Sequence, residues 1–162
     1  MRTMKRRRKQ GKTDYLKRLK LLKSNSPRVV FRKTNKYIVT QYITSHQAQD
    51  KIELNMTSKD LLKYGWPKGA LGSLKSISAS YLIGLKIGKK IIKSNLKTPI
   101  VDFGMIKTIH KTKVYAFLKG LIDAGIKIKC EKENFPSEEK IKGEHIKHKI
   151  PFKEIKSKIE NE

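Results

Sequence analysis

Ser78-Ala79-Ser80-Tyr81-Leu82-Ile83-Gly84-Leu85-Lys86-Ile87-Gly88-Lys89-Lys90-Ile91-Ile92-Lys93 reads as the helix on which the fold is built. Lys86, Lys89, Lys90 and Lys93 fall at i, i+3, i+4 and i+7 and predict an outward face. Leu82, Leu85 and Ile92 lie opposite. Gly84 and Gly88 predict a close approach of this helix to a sheet. A membrane reading of the glycine pair fails because four lysines share the segment.

Three strands are predicted before this helix. Arg28–Lys33 and residues 37–43 are joined by Thr34-Asn35-Lys36, a tight-turn signal. Residues 51–57 alternate, with Ile52, Leu54 and Met56 on one face. Residues 58–76 read mostly as loop, with a short helical turn around Leu61-Leu62 and Trp66 pinning the loop to the domain. After the helix, residues 100–103 form a short buried strand. Residues 114–124 form a second helix, stopped by Gly125, and residues 126–128 a final strand. The order β-β-β-α-β-α-β predicts an α/β fold, an open mixed sheet with helices packed on it.

Residues 27–130 make the expected core domain. Residues 1–26 read as a basic arm and short helix, and residues 131–162 as a charged C-terminal extension, a tail or a peripheral helix. Residues 1–12 lack apolar content and periodicity, which predicts disorder in the free state. Thr13 is placed to cap the next helix. There Tyr15, Leu16, Leu19 and Leu22 predict an apolar stripe, with Lys17, Arg18, Lys20 and Lys23 outward.

The charge balance narrows the partner. In 162 residues, 39 Lys and Arg against 14 acids give +25, a self-repelling total that an anionic surface would relieve. One cysteine, Cys130, excludes an internal disulfide and a cysteine-based zinc site. No apolar run has the length of a membrane span, and the basic start has no apolar stretch after it, unlike a secretory signal. The five consecutive cations Lys5-Arg6-Arg7-Arg8-Lys9 lead through Gly11 into a cationic helix, a contiguous footprint for phosphates. RNA is preferred over DNA because no helix-turn-helix, zinc finger or basic zipper is visible. Tyr15 near Arg18 also suits stacking on unpaired bases, whereas Phe31 at its strand position belongs in a core.

Other constellations are weaker. The loop from Gly65 to Ser76 has no glycine directly before its lysine and is not a Walker loop, though Lys68 and Lys75 could touch phosphate. Asp102 and Asp123 are raw material for a metal-dependent nuclease, but capping and turn stabilisation explain them more simply. His145-x-x-His148 has ligand-like spacing without a supporting cysteine or glutamate. A general basic nucleic-acid chaperone is a further alternative.

A resemblance runs through residues 5–146. Its motifs are Arg6-Arg7-Arg8, Gly11-Lys12-Thr13-Asp14-Tyr15, Arg18-Leu19-Lys20-Leu21-Leu22-Lys23-Ser24, Pro27-Arg28-Val29-Val30 and Thr34-Asn35-Lys36-Tyr37-Ile38. Lys63-Tyr64-Gly65-Trp66, Ala79-Ser80-Tyr81-Leu82-Ile83-Gly84, Leu118-Lys119-Gly120-Leu121-Ile122-Asp123-Ala124-Gly125 and Phe135-Pro136-Ser137-Glu138-Glu139 follow in the same order, then Gly143-Glu144-His145-Ile146. With these the chain resembles the L-eighteen family of large-subunit ribosomal proteins, in its archaeal type. The resemblance implies a non-catalytic cytoplasmic protein of the large ribosomal subunit. Such a protein would bind 5S rRNA, touch large-subunit rRNA in the central protuberance, and lie beside ribosomal protein L-five. It implies no cofactor, membrane or small-molecule substrate. Carried over residue by residue, the RNA contacts fall on Arg6, Arg7, Arg8, Lys9, Lys12, Thr13, Tyr15 and Arg18, and on Arg28, Arg32, Asn35 and Lys36. The loop 107–113 departs from the family pattern, with Ile109 and His110 where glycine and proline are usual.

Overall fold

The computed structural model describes residues 3–145 and 149–161. Its centre is a mixed four-stranded sheet of β1 (Arg28–Lys33), β2 (Ile38–His46), β3 (Gln49–Thr57) and β4 (Ile100–Asp102). The order is β3-β2-β1-β4, with β1–β2 and β2–β3 antiparallel and β4 parallel to β1. Two helices precede the sheet, α1 (Arg6–Lys9) and α2 (Tyr15–Lys23). The long helix is α3 (Ile77–Lys93), and α4 (Lys113–Asp123) pairs with it. The α/β class and the open mixed sheet are as the sequence predicts.

The sheet has four strands because residues 126–128 form no strand. Ile126 is buried and Ile128 half-buried, and both pack into the cluster between sheet and helices. The period of two in that segment reflects alternating burial, with no ladder attached. Strands β2 and β3 extend further toward each other than predicted. They meet at Gln47-Ala48, both in the left-handed region (φ 46° and 64°), the two-residue hairpin geometry that asparagine and glycine usually fill. A register shift at Tyr42/Ile43 then places Ile52 opposite Ile43, while Leu54 stays opposite Tyr42 and Met56 opposite Thr40. Ile52 therefore leaves the face it was predicted to share and is 51% exposed.

Helix α3 is enclosed on more sides than its lysine spacing suggests. Residues 78–88 are all buried. The close approach enabled by its glycines is to α4, and the predicted approach to the sheet is corrected accordingly. A Cβ at Gly84 would lie 2.5 Å from the Phe117 carbonyl oxygen, and one at Gly120 would run into the Tyr81 carbonyl. Lys86 is only 6% exposed, with its Nζ 4.5 Å from the centre of the Tyr64 ring, so it leaves the predicted outward face. Ile92, predicted inward, is 50% exposed.

Two 3-10 helices, Ser58–Tyr64 and Lys68–Ser73, replace most of the predicted loop. Trp66 does pin it: the ring is buried and Nε1 donates to the Ala70 carbonyl at 3.1 Å. The C-terminal segment carries α5 (Glu138–Lys142) and α6 (Phe152–Glu160). Phe152, Ile155 and Ile159, at i, i+3 and i+7, enter a second cluster with Leu61, Trp66 and Leu82. Each such side chain contributes roughly 1.5–3 kcal/mol on burial. The segment expected to be a tail or a peripheral helix thus adds α6 to the core, because three of its apolar side chains share one helical face. The pair His145 and His148 cannot be compared with the fold, since His148 lies outside the described residues.

Candidate nucleic-acid interface

The arm is folded back on itself. Lys5 precedes one helical turn, α1, whose four residues Arg6, Arg7, Arg8 and Lys9 are all exposed. Gly11, at φ +63°, reverses the chain, a conformation glycine adopts without a Cβ penalty. Arg7 Nε then donates to Thr13 Oγ1 at 2.9 Å, and Lys5 Nζ sits 4.7 Å from the centre of the Tyr15 ring. The ordered turn differs from the predicted disorder, and backbone bonds such as Lys12 N to the Arg7 carbonyl at 2.9 Å hold it together with these side-chain contacts. Asp14, and not Thr13, is the N-cap of α2, accepting from the amides of Leu16 and Lys17 at 3.0 and 3.2 Å.

Helix α2 sits on the protein through its cations. Lys17 Nζ donates to the Gly104 carbonyl at 3.1 Å, and Arg18 Nη2 meets Asp50 Oδ2 at 3.0 Å. Leu16 and Leu19, predicted to face inward, are 65% and 51% exposed. The surface beneath α2 explains the reversal: it offers carboxylates and a carbonyl, which match ammonium and guanidinium better than a leucine stripe. Tyr15, Leu21 and Leu22 are half-buried at the margins.

Under α2 lies a buried ionic network. The Arg28 side chain is 3% exposed, and its Nη2 reaches Asp50 Oδ1 at 2.7 Å and Ser45 Oγ at 2.9 Å. Its Nη1 is 3.9 Å from Asp102 Oδ2, which also takes Arg32 Nη2 at 2.8 Å. Arg32 Nη1 donates to the Asp102 carbonyl, and the Gly104 amide donates to Asp102 Oδ1 at 2.7 Å. Burial pushes the Asp50 carboxyl up, but the Ser45 hydroxyl, Arg18 and Arg28 outweigh it and hold it below its ordinary value. Beside the network opens a cleft of about 130 Å³, lined by Arg7, Lys12, Lys17, Arg18, Arg28 and Arg32 against Asp14 and Asp102.

The predicted contact residues therefore divide. Lys12 is exposed at the cleft, Arg6, Arg8 and Lys9 are exposed on the arm outside it, Arg7 and Thr13 are bonded to each other at its rim, and Arg32 is partly exposed. The Arg28 guanidinium is enclosed by protein groups, so its place is beneath the surface. Asn35 and Lys36 are exposed in the hairpin after β1, which itself carries the chain roughly 17 Å from Arg28 before the turn begins. That hairpin is built by Thr34, whose Oγ1 donates to the Tyr37 carbonyl at 2.6 Å, while Lys75 Nζ donates to the Asn35 carbonyl at 2.8 Å. Asp50 and Ser45 were missed by sequence reasoning. Only the β2–β3 register, which pairs Ser45 with Asp50, could have pointed to them.

The two nuclease candidates are apart and occupied. Asp102 is covered by Arg28 and Arg32, and Asp123 accepts from the Tyr81 hydroxyl at 2.7 Å. Among the described residues no group of His, Cys, Asp and Glu could hold a metal ion. No described helix is long and apolar enough to cross a membrane.

A sheet-and-helix domain that presents a folded cationic arm has the character of a nucleic-acid-binding protein. Comparison with known proteins makes this specific. Residues 1–98 match the family described as ribosomal large subunit proteins 60S L5 and 50S L18. The chain is 44% identical to large ribosomal subunit protein uL18 of Korarchaeum cryptofilum over 87% of its own length and 70% of the relative's. It is 38% identical to uL18 of Methanoregula boonei, covering 87% and 79% of the two chains. The match to uL18 of Methanospirillum hungatei is 36% identical, covering 90% and 81%. The chain belongs to the uL18 family of large-subunit ribosomal proteins. It is a structural, non-enzymatic component of the large subunit in the cytoplasm, with ribosomal RNA and ribosomal proteins as partners.

Proposed function

We propose that the chain binds 5S rRNA and helps attach it to large-subunit rRNA in the central protuberance, next to ribosomal protein L-five. The observation that supports this reading is the outward arm. Arg6, Arg8, Lys9 and Lys12 are exposed without a paired carboxylate among the described residues, and Lys20 and Lys23 continue the positive surface along α2. Phosphates would take these cations, with Arg32 at the cleft and Lys36 in the hairpin as further contacts. Tyr15, Leu16 and Leu19 put apolar surface beside them, which suits unpaired bases. Arg28 acts indirectly, by holding Asp50 and so the seat of α2.

The test is a comparison of 5S rRNA with an unrelated structured RNA of equal length at physiological salt. Equal affinity would sink the proposal. Replacing Arg6 and Arg8 with alanine should reduce the slope of log K against log salt by about 1.5, at roughly 0.7–0.9 per phosphate contact. Arg7 is left in place because it also bonds Thr13.

A further inference from the structure

We infer that Asp50 sets the RNA specificity of the arm. It acts through Arg18, holding that guanidinium in one fixed direction at the cleft beneath α2. Asp50 lies outside the arm, at the second position of β3, just after the Gln47-Ala48 turn. Its two oxygens face different partners. Oδ1 accepts from buried Arg28 Nη2 at 2.7 Å and from Ser45 Oγ at 2.8 Å. Oδ2 takes Arg18 Nη2 at 3.0 Å. The first two bonds fix the carboxylate to the sheet, and the third extends that rigidity to an arginine whose side chain is 35% exposed. Nη2 is the one side-chain nitrogen of Arg18 bonded among the described residues. Nε and Nη1 keep their N–H groups for a phosphate at the cleft that Arg18 lines.

A carboxylate is a costly choice at this place. It repels the phosphates that the arm attracts, in a chain that has only 14 acids against 39 basic residues. Stability alone does not account for its reach to Arg18, since a partly exposed pair is worth little. Buried Arg28 accounts for Oδ1 only, and Asp102 Oδ2 lies 3.9 Å from Arg28 as a second counter-charge. Burial raises the Asp50 carboxyl, but Ser45 and the two arginines hold it below its ordinary value, so the anchor stays ionised at neutral pH. The same device recurs at Arg32, whose Nη2 is set on Asp102 Oδ2 at 2.8 Å.

The cations of the arm and of the cleft thus have different roles. Arg6, Arg8 and Lys9 are exposed on the arm, where long side chains can follow phosphates in many arrangements. They supply affinity for any RNA. Anchored Arg18 offers its fork in a single direction, with rotamer freedom already given up, and gains only from a phosphate placed to match. An RNA without that phosphate meets the Asp50 charge uncompensated, which is the repulsive half of the discrimination. The identity of the favoured RNA rests on the proposed function.

The experiment titrates the full chain and its Asp50→Asn, Arg18→Ala and Asp50→Asn/Arg18→Ala variants with 5S rRNA and with an unrelated structured RNA of equal length. The readout is the ratio of the two affinities. Asp50→Asn should bind the unrelated RNA about twofold more tightly, having lost a negative charge, and 5S rRNA about fivefold more weakly, having lost the fixed fork. Its ratio falls about tenfold. In the Arg18→Ala background the same substitution should leave the ratio unchanged within about twofold, because the side chain it acts through is gone. Arg18→Lys leaves the bonds of Asp50 to Arg28 and Ser45 in place, keeps the charge and loses the fork. It should lower the ratio about fivefold without changing binding of the unrelated RNA, and it decides the matter where Asp50→Asn does not fold. A ratio left unchanged by folded Asp50→Asn or by Arg18→Lys overturns the inference. So does a fall of equal size with and without Arg18, which would make Asp50 a structural support of Arg28 alone. If the wild-type chain itself binds both RNAs equally, the proposed function falls and takes the inference with it. A discriminating wild type whose variants discriminate as well overturns the inference alone.

Discussion

The two ends of the chain look alike in sequence and behave in opposite ways. Both α2 and α6 are nine-residue helices with leucine or isoleucine among charged residues. Helix α6 buries Phe152, Ile155 and Ile159 in the second core cluster, whereas α2 buries no residue fully and turns Leu16 and Leu19 to solvent. The difference lies in what each helix meets. Helix α6 meets an apolar surface made by α3 and the Ser58–Tyr64 turn. Helix α2 meets Asp50 and the Gly104 carbonyl, so its cations turn inward. Amphipathic spacing defines two faces of a helix, and the surface it lands on decides which is buried.

The largest effect should come from the buried end. Ile155→Ala removes a fully buried side chain and should cost about 2–5 kcal/mol in denaturant unfolding. A loss below about 1 kcal/mol would mean that α6 is a loosely held appendage like the arm, and the contrast would collapse.

Arg28 comes next, because it joins the arm's seat to the sheet. Arg28→Ala leaves Asp102 buried beside an unfilled volume and removes a partner of Asp50. Because Asp102 keeps Arg32 and Asp50 keeps Arg18, the loss should be about 1.5–3 kcal/mol, the range for hydrogen bonds to charged groups, and the mobility of the arm should rise with it. If the variant unfolded like wild type but bound 5S rRNA more weakly, Arg28 would be an RNA contact after all.

What could be read in the sequence, and what could not, follows the same division. Strand β1 was legible to the residue because its apolar run is bounded by Pro27 and by the Thr34-Asn35-Lys36 turn. Helix α4 was legible to within one residue at each end, owing to its periodicity and the stop at Gly125. The β2–β3 hairpin was not, since Gln47-Ala48 takes up a turn geometry that its side chains do not advertise. The burial of Lys86 was equally hidden, because the enclosure of α3 includes α5 and α6, from the far end of the chain. The cationic arm was evident from composition, but its seat was not: Arg18 and Asp50 are 32 residues apart and meet only once β2 and β3 pair.

A smaller effect tests that seat directly. Arg18→Ala should cost below about 1 kcal/mol, as expected for a partly exposed pair. Because the folded Asp50 carboxyl is held below its ordinary value, its stabilising contribution is complete above the unfolded carboxylate value of about 3.9. It is lost as pH falls through the lower folded value. The stability difference between wild type and Asp50→Asn should thus stay constant from neutral pH to about 4 and shrink below that. A difference that grew on acidification would contradict the assigned direction.

The smallest effect on stability is expected at Leu16 and Leu19, and it bears most directly on function. If the outward leucine face only fills space, replacing both with alanine should change neither unfolding nor RNA binding. If it meets bases beside the arginines, unfolding should stay within about 0.5 kcal/mol of wild type while 5S rRNA binding weakens several-fold. The salt slope should not change, because no phosphate contact is lost. The second outcome is expected, since the acceptors that draw Lys17 and Arg18 inward leave these leucines amid exposed cations. A large loss of stability would instead show that the face is covered by protein, and the contrast between the two helices would have to be withdrawn.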